Sequence, residues 1–210
     1  TLTALGDGPE AAAVLKVGAR IDLSVNTALN SAPCAPASSL FTGVLYEAAG
    51  LDSIARNTAG RRALERHCVI FSGLWGVLSP ADSVPNHRLS MGTSLPGPGR
   101  LSSFWKRHLA PSLIGMAAHG LVVDCRSADY AAAWRPSVRD SIEVMTVRVV
   151  RVDNNGCRKV VSHMAKQARG LLTGELLRAV CAQSLPAQAQ ADDVAGVTGQ
   201  LDGVHDIEVS

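Results

Sequence analysis

The chain has 210 residues, 47% of them hydrophobic and 18% charged, which suits one globular domain with a sizeable core. A formal net charge of +2 is too small to mark a nucleic-acid binder by itself, so that case has to rest on local patches. Five scattered cysteines without C-x-x-C, and histidines without H-x-x-x-H, argue against a disulfide framework or a zinc knuckle and for a reducing, cytoplasmic setting.

No uninterrupted apolar run reaches the length of a membrane span, and no signal peptide is seen. The first residue is Thr1 and the chain opens mid-pattern, so the natural N-terminus is expected to lie further upstream.

Residues 2–21 read L-T-A-L-G-D-G-P-E-A-A-A-V-L-K-V-G-A-R-I. Gly6-Asp7-Gly8 is a turn, and Pro9 suits the first turn of a helix running to about Ile21. With Leu2 and Leu5 closing a preceding helix, the segment resembles a helix-hairpin-helix. In that motif a glycine-bearing hairpin offers backbone N–H groups to a phosphate. Lys16 and Arg20, four residues apart, are predicted to share one helical face.

Residues 26–39, rich in Ser, Pro and Asn, read as an exposed loop. An apolar pattern returns over 40–51, with Gly43 turning or ending an element. Residues 53–66 read as a basic helix, Arg56, Arg61, Arg62 and Arg66 against Glu65. The ordinary reading of such a run is a solvated face.

The stretch from Cys68 to Gly92 organises the chain. Val69, Ile70 and Phe71 read as a buried strand, broken by Ser72-Gly73 and Gly76, where glycine admits a turn or a close backbone approach. Pro80 and Pro85 bracket a loop that carries Asp82, and Arg88 follows before a second strand-like run over 89–95. Trp75 and Leu78 are read as core. A rigid strand opening into such a loop is a common way to present functional groups.

Pro96-Gly97-Pro98-Gly99 is a rigid turn. Residues 101–118 read as an amphipathic helix that Pro111 should kink or split. Residues 121–125 form a short buried strand ending in Arg126-Ser127-Ala128-Asp129-Tyr130, with Ser127 as a helix N-cap.

Residues 142–152 alternate and are β-branched, 153–156 form an Asn-Gly hairpin turn, and 158–162 return. A helix then runs to about Gln183, followed by a linker, a short helix over 192–201 and a last edge strand over 204–209. Lys166 and Arg169, with His163, fall near the start of the long helix, where cations oppose its dipole. An anion bound there would relieve the conflict.

Taken together, F-T-G-V-L-Y (41–46), F-S-G-L-W-G-V-L-S-P-A-D (71–82), H-R-L-S-M-G (87–92), the Phe104-Trp105 pair, V-D-C-R-S-A-D-Y (123–130) and V-S-H-M-A-K-Q-A-R-G (161–170) resemble the YaaA family of bacterial peroxide stress proteins. The high Ala content looks like an actinobacterial branch. The resemblance implies one YaaA-like domain over 1–210. It further implies a mixed α+β fold, its sheet packed with helices around a basic cleft, with a helix-hairpin-helix. It implies a cytosolic protein that helps cells survive hydrogen peroxide, tied to lower free iron, and DNA binding. No established catalytic reaction comes with it. The family's opening strand and loop are missing here, and its common Tyr-Arg pair is His87-Arg88, which keeps the cation and removes a phenol.

Two readings follow. In the first, Arg88, Arg126, Lys166 and Arg169 hold a DNA phosphate backbone largely independently of sequence, with Lys16 and Arg20 as a second contact. In the second, Asp82, Asp129, Ser72, Ser127 and His163 supply acid–base or nucleophilic groups for an enzyme acting on a phosphate-bearing or nucleotide-like substrate. Pairing of Asp82 and Asp129 with Arg88 and Arg126 would instead make these charges structural. No cofactor is expected, no ligand spacing supports a metal centre, and the chain is expected to be a monomer without a membrane partner.

Overall fold

The computed structural model describes residues 1–18, 20–117, 120–152, 158–160, 162–186, 188–198 and 206–209, with side chains placed from 1 to 149 and from 164 to 198 within those ranges. A 3-10 turn at Thr3–Leu5 is followed by α1 (Pro9–Leu15), α2 (Ser24–Thr27), β1 (Cys34–Pro36) and α3 (Ala37–Leu40). Then come α4 (Val44–Ala49), α5 (Leu51–Ile54), α6 (Thr58–His67), β2 (Ile70–Ser72), β3 (Gly76–Leu78) and β4 (Ser83–Pro85). Next are β5 (Ser94–Leu95), β6 (Gly99–Arg100), α7 (Leu101–Lys106), α8 (Ala110–Ala117), β7 (Val122–Asp124) and α9 (Ala128–Ala131). The chain continues through β8 (Val144–Val152), β9 (Arg158–Val160), α10 (Ser162–Cys181), α11 (Ala191–Thr198) and β10 (Asp206–Val209). The fold is mixed α/β, with several helices and small antiparallel and parallel sheets. Among the described residues no helix is long and apolar enough to cross a membrane.

The chain divides into two units. The first holds Thr1–Leu40, Val69–Leu113 and Arg126–Pro136. Leu2, Ala11, Leu15 and Leu23 pack with Met91, Leu95, Leu101 and Ala133 in one apolar cluster. Three small antiparallel pairs, β1 with β4, β2 with β3 and β5 with β6, carry its loops. The β2–β3 hairpin explains its glycines. A Cβ on Gly73 would lie 2.7 Å from the Leu89 carbonyl oxygen, and one on Gly76 would lie 2.7 Å from the Trp105 ring. Gly76 also has φ +76°, which side chains rarely adopt. The Trp105 indole N–H donates to the Gly73 carbonyl at 2.8 Å, closing the contact.

Several expectations change here. The first helix stops at Leu15 because Lys16 turns left-handed, φ 55°, so Lys16 and Arg20 share no helical face. A three-residue 3-10 turn, not an α-helix, precedes the Gly6–Gly8 turn. Residues 26–39 are not an open loop: they fold into α2, β1 and α3, with Asn26, Ala37 and Ser38 buried. Trp75 is 40% exposed, while Leu78 is buried as read. The helix after the rigid turn is split into α7 and α8, as Pro111 demanded.

The second unit holds Phe41–Cys68, Ile114–Cys125 and Ser137–Ser210. Its spine is β8, which pairs parallel with β7 (Val122↔Val144), antiparallel with β10 (Val209↔Val147) and antiparallel with β9 (Val152↔Arg158). The period of two is visible: Met145, Val147 and Val149 are buried while Thr146 and Arg148 are exposed. Val149 packs on Ala165 and Ala168 of α10. The turn expected at 153–156 lies outside the described residues.

Candidate functional site

The organising stretch is held by a buried polar chain. Ser72, at the end of β2, points its hydroxyl into the hairpin, where it accepts the N–H groups of Leu74 at 3.2 Å and Trp75 at 3.3 Å. The same hydroxyl lies 3.3 Å from His87 Nε2, and His87 Nδ1 lies 3.0 Å from the Pro85 carbonyl oxygen. A carbonyl can only accept, so the proton sits on Nδ1 and Nε2 accepts from the Ser72 hydroxyl. Ser72 and His87 are both buried.

Burial lowers the His87 pKa below its ordinary 6.5; the Pro85 carbonyl pulls it up and the Arg88 charge lowers it further. The unfolded chain therefore takes up this proton first on acidification. The contribution of His87 to stability is complete above pH 6.5 and is lost as pH falls from there through the lowered folded pKa. Urea midpoints measured across this range should fall on the acid side, and less steeply in His87→Gln. Equal acid slopes in the two proteins would rule the linkage out.

Next along the chain, Arg88 is gripped by its backbone. Its N–H donates to Asn26 Oδ1 at 2.8 Å, and its carbonyl accepts from Asn26 Nδ2 at 3.0 Å. Asn26 is fully buried on the four-residue α2, so one side chain satisfies both polar groups of a single distant residue. The Arg88 side chain is exposed, and its Nη1 donates to Asn86 Oδ1 at 3.3 Å. Hydrogen bonds from Ser24, and after them the Arg88 charge, hold the Asp22 carboxyl below its ordinary value. Asn26 was not among the residues the sequence singled out. Nothing in its neighbourhood marks it, because its partner lies 62 positions away.

The other candidates separate. Asp82 caps its own turn, its Oδ2 accepting the Ser79 N–H at 2.8 Å. Asp129 pairs with Arg100 at 2.8 Å, not through the structural pairing with Arg126 considered from the sequence, and its carboxylate lies against Gly92. Arg126 donates to the carbonyls of Tyr130 at 3.4 Å and Trp134 at 2.9 Å and stacks 4.2 Å over the Phe71 ring. Ser127 occupies the N-cap position of α9 without a side-chain capping bond. Lys16 and Arg20 are exposed in the first unit.

In the second unit Lys166 is exposed, while Arg169 turns inward and donates from Nε and Nη2 to the Val147 carbonyl at 3.2 and 3.1 Å. The His163 side chain lies outside the described residues. Among the described residues no three His, Cys, Asp or Glu side chains come together as a metal-binding group.

The family model described as peroxide stress protein YaaA matches residues 3–192, which takes in segments of both units and every candidate residue named above. This chain belongs to the YaaA family of peroxide stress proteins. It is 40% identical over 185 residues to a UPF0246 protein of Streptomyces coelicolor, covering 87% of this chain and 69% of that one. It is 38% identical over 194 residues to a UPF0246 protein of Corynebacterium glutamicum, covering 90% and 72%, and 35% identical over 182 residues to one of Corynebacterium efficiens, covering 85% and 67%. Membership gives this YaaA-family chain a general role in peroxide stress.

Two thiols bear on how a YaaA-family protein meets peroxide. Burial, with Cys125 nearby, pushes the Cys68 thiol up to about 12. Burial also raises Cys125, against a hydrogen bond with Thr173 that lowers it. Both are protonated at neutral pH, and the protonated thiol is a poor nucleophile toward a peroxide.

Proposed function

We propose that this YaaA-family protein acts in peroxide defence by binding the phosphate backbone of DNA, largely without regard to sequence. The observation that supports this most directly is Arg88, an exposed guanidinium on a backbone pinned by Asn26 on one side and by buried His87 on the other. A cation held on a rigid support loses little freedom when it meets a phosphate. Lys16 and Arg20 in the same unit, and Lys166 in the second, are exposed and suited to further contacts. Arg126 and Arg169 are spent on internal carbonyls, so their part is to hold the framework.

Recognition fits the chain better than turnover. Asp82, Asp129 and Ser72, three of the groups an enzyme would need, are engaged in a turn, an ion pair and a hairpin. Protein cations that neutralise phosphates release the counterions condensed there, so ferrous iron would be moved off the DNA it damages. That shields the DNA locally, and the lower free iron that the family resemblance implies is not a consequence of this binding.

Fluorescence anisotropy with duplex DNA tests the proposal. Binding should weaken steeply with salt. Arg88→Ala should lower the salt slope by about 0.9, the loss of one phosphate contact, while Arg88→Lys keeps most of it. The fold is unaffected because Asn26 grips the backbone and not the side chain. No binding by the unaltered protein at low salt would refute the proposal.

A further inference from the structure

We infer that the solvent face of α6 is a second contact for duplex DNA, in which Arg62 and Arg66 each take a backbone phosphate. This rests on the duplex-binding reading and places a contact in the second unit, apart from Arg88.

The roll of α6 is set by packing. Gly60, Ala63 and Leu64 are buried, and Gly60 lies so close to the Ile54 carbonyl that no Cβ fits. That fixes Arg61, Arg62, Glu65 and Arg66 outward. The cations of this basic run are then not equivalent. Arg56 pairs with Asp52 at 3.6 Å, and Arg61 donates to the Ala55 carbonyl at 3.2 Å and to Thr58 Oγ1 at 3.3 Å. Among the described residues neither the Arg62 nor the Arg66 side chain finds an ion pair or a hydrogen bond. They stand one helical turn apart, about 6 Å along the axis, a spacing from which two long guanidinium side chains can each meet a phosphate of one DNA strand.

The face also excludes a competing partner. A helix that binds an anionic membrane joins its cations to an apolar wedge. Among the described residues α6 exposes no large apolar side chain, which suits a polar, charged groove edge instead. Glu65 sits between the two arginines and opposes a polyanion, so its removal should strengthen binding.

The protein is titrated into labelled duplex by anisotropy at several salt concentrations, with Arg62→Ala/Arg66→Ala, Glu65→Gln and Arg88→Ala compared. The double variant should bind on the order of tenfold more weakly at 100 mM salt, with a salt slope reduced by about 1.8, and Glu65→Gln should bind more tightly at low salt. Arg62→Gln/Arg66→Gln repeats the measurement if the alanine variant melts early. An unchanged affinity and slope in the double variant, with Arg88→Ala weakened, overturns this inference and leaves the duplex reading standing. Absence of binding by the unaltered chain overturns both. Loss of binding to phosphatidylserine vesicles in the double variant, with its DNA slope unchanged, overturns the inference in favour of a membrane surface.

Discussion

Asn26→Ala should destabilise the protein by about 3 kcal/mol, the largest effect expected from any polar substitution in the first unit. The alanine removes two hydrogen bonds, 2.8 and 3.0 Å long, and leaves the Arg88 N–H and carbonyl without their partner inside the fold. Both bonds are part-buried, so each orphaned group costs toward the lower half of the range of about 1–3 kcal/mol for an unsatisfied polar group. Against a typical total of about 5–15 kcal/mol this is a large share. With a urea m-value near 3 kcal/mol/M, the midpoint should fall by about 1 M. Hydrogen exchange at the Arg88 amide should lose its protection in the same variant. A midpoint shift below about 0.2 M would show that the clamp contributes little. The functional consequence follows from the same bonds: a loosened 85–88 segment holds Arg88 less rigidly, so duplex binding should weaken although no DNA-facing side chain has changed.

The second large effect belongs to the second unit. Gly170→Ala should cost about 3 kcal/mol even though alanine is the better helix former by about 1 kcal/mol. The reason is the approach of α10 to α4. A Cβ on Gly170 would collide with the Leu45 carbonyl oxygen and lie 2.8 Å from the Ala48 Cβ, and one on Gly174 would lie 2.5 Å from the Ala49 carbonyl oxygen. Backbone atoms inside a helix cannot swing aside as the tip of a long side chain can, so the two helices would have to separate. Gly115 is the internal control: in α8 its added Cβ meets nothing within 4 Å, so Gly115→Ala should be neutral or stabilise by up to about 1 kcal/mol. Urea or thermal unfolding of the two variants checks the pair. A stabilised Gly170→Ala would mean that the helices do not pack this closely.

These two substitutions bear on how the chain presents its charges. Rigid support decides which cations remain to meet an anion. Arg126 and Arg169 came from motifs that read as functional, yet their guanidinium groups are bonded to main-chain carbonyls. Arg88 came from a similar motif and keeps its guanidinium outward because its own backbone is anchored instead. The dipole conflict read at the start of α10 has a comparable outcome for Arg169: its charge is directed to the Val147 carbonyl oxygen, a partner with negative character.

What the sequence determined by itself was whatever depends on neighbours in the chain. The alternation over 142–152 became β8 with Met145, Val147 and Val149 inward, Pro111 divided α7 from α8, and the glycines of F-S-G-L-W-G marked a hairpin that other groups approach closely. The family, too, was legible, because its motifs keep their order along the chain. Only the tertiary structure decided the rest. Residues 26–39 have a loop-like composition, yet they pair β1 with β4 and bury Asn26 beneath Arg88, because the partners of those bonds come from distant segments. Whether Asp129 meets Arg126 or Arg100, and whether an arginine faces solvent or a carbonyl, depends on distances across space that composition and periodicity do not encode. Local pattern specifies which face of an element is apolar; it does not say which of several like charges will find a partner, since that choice is made by backbone groups brought together only when the chain has folded.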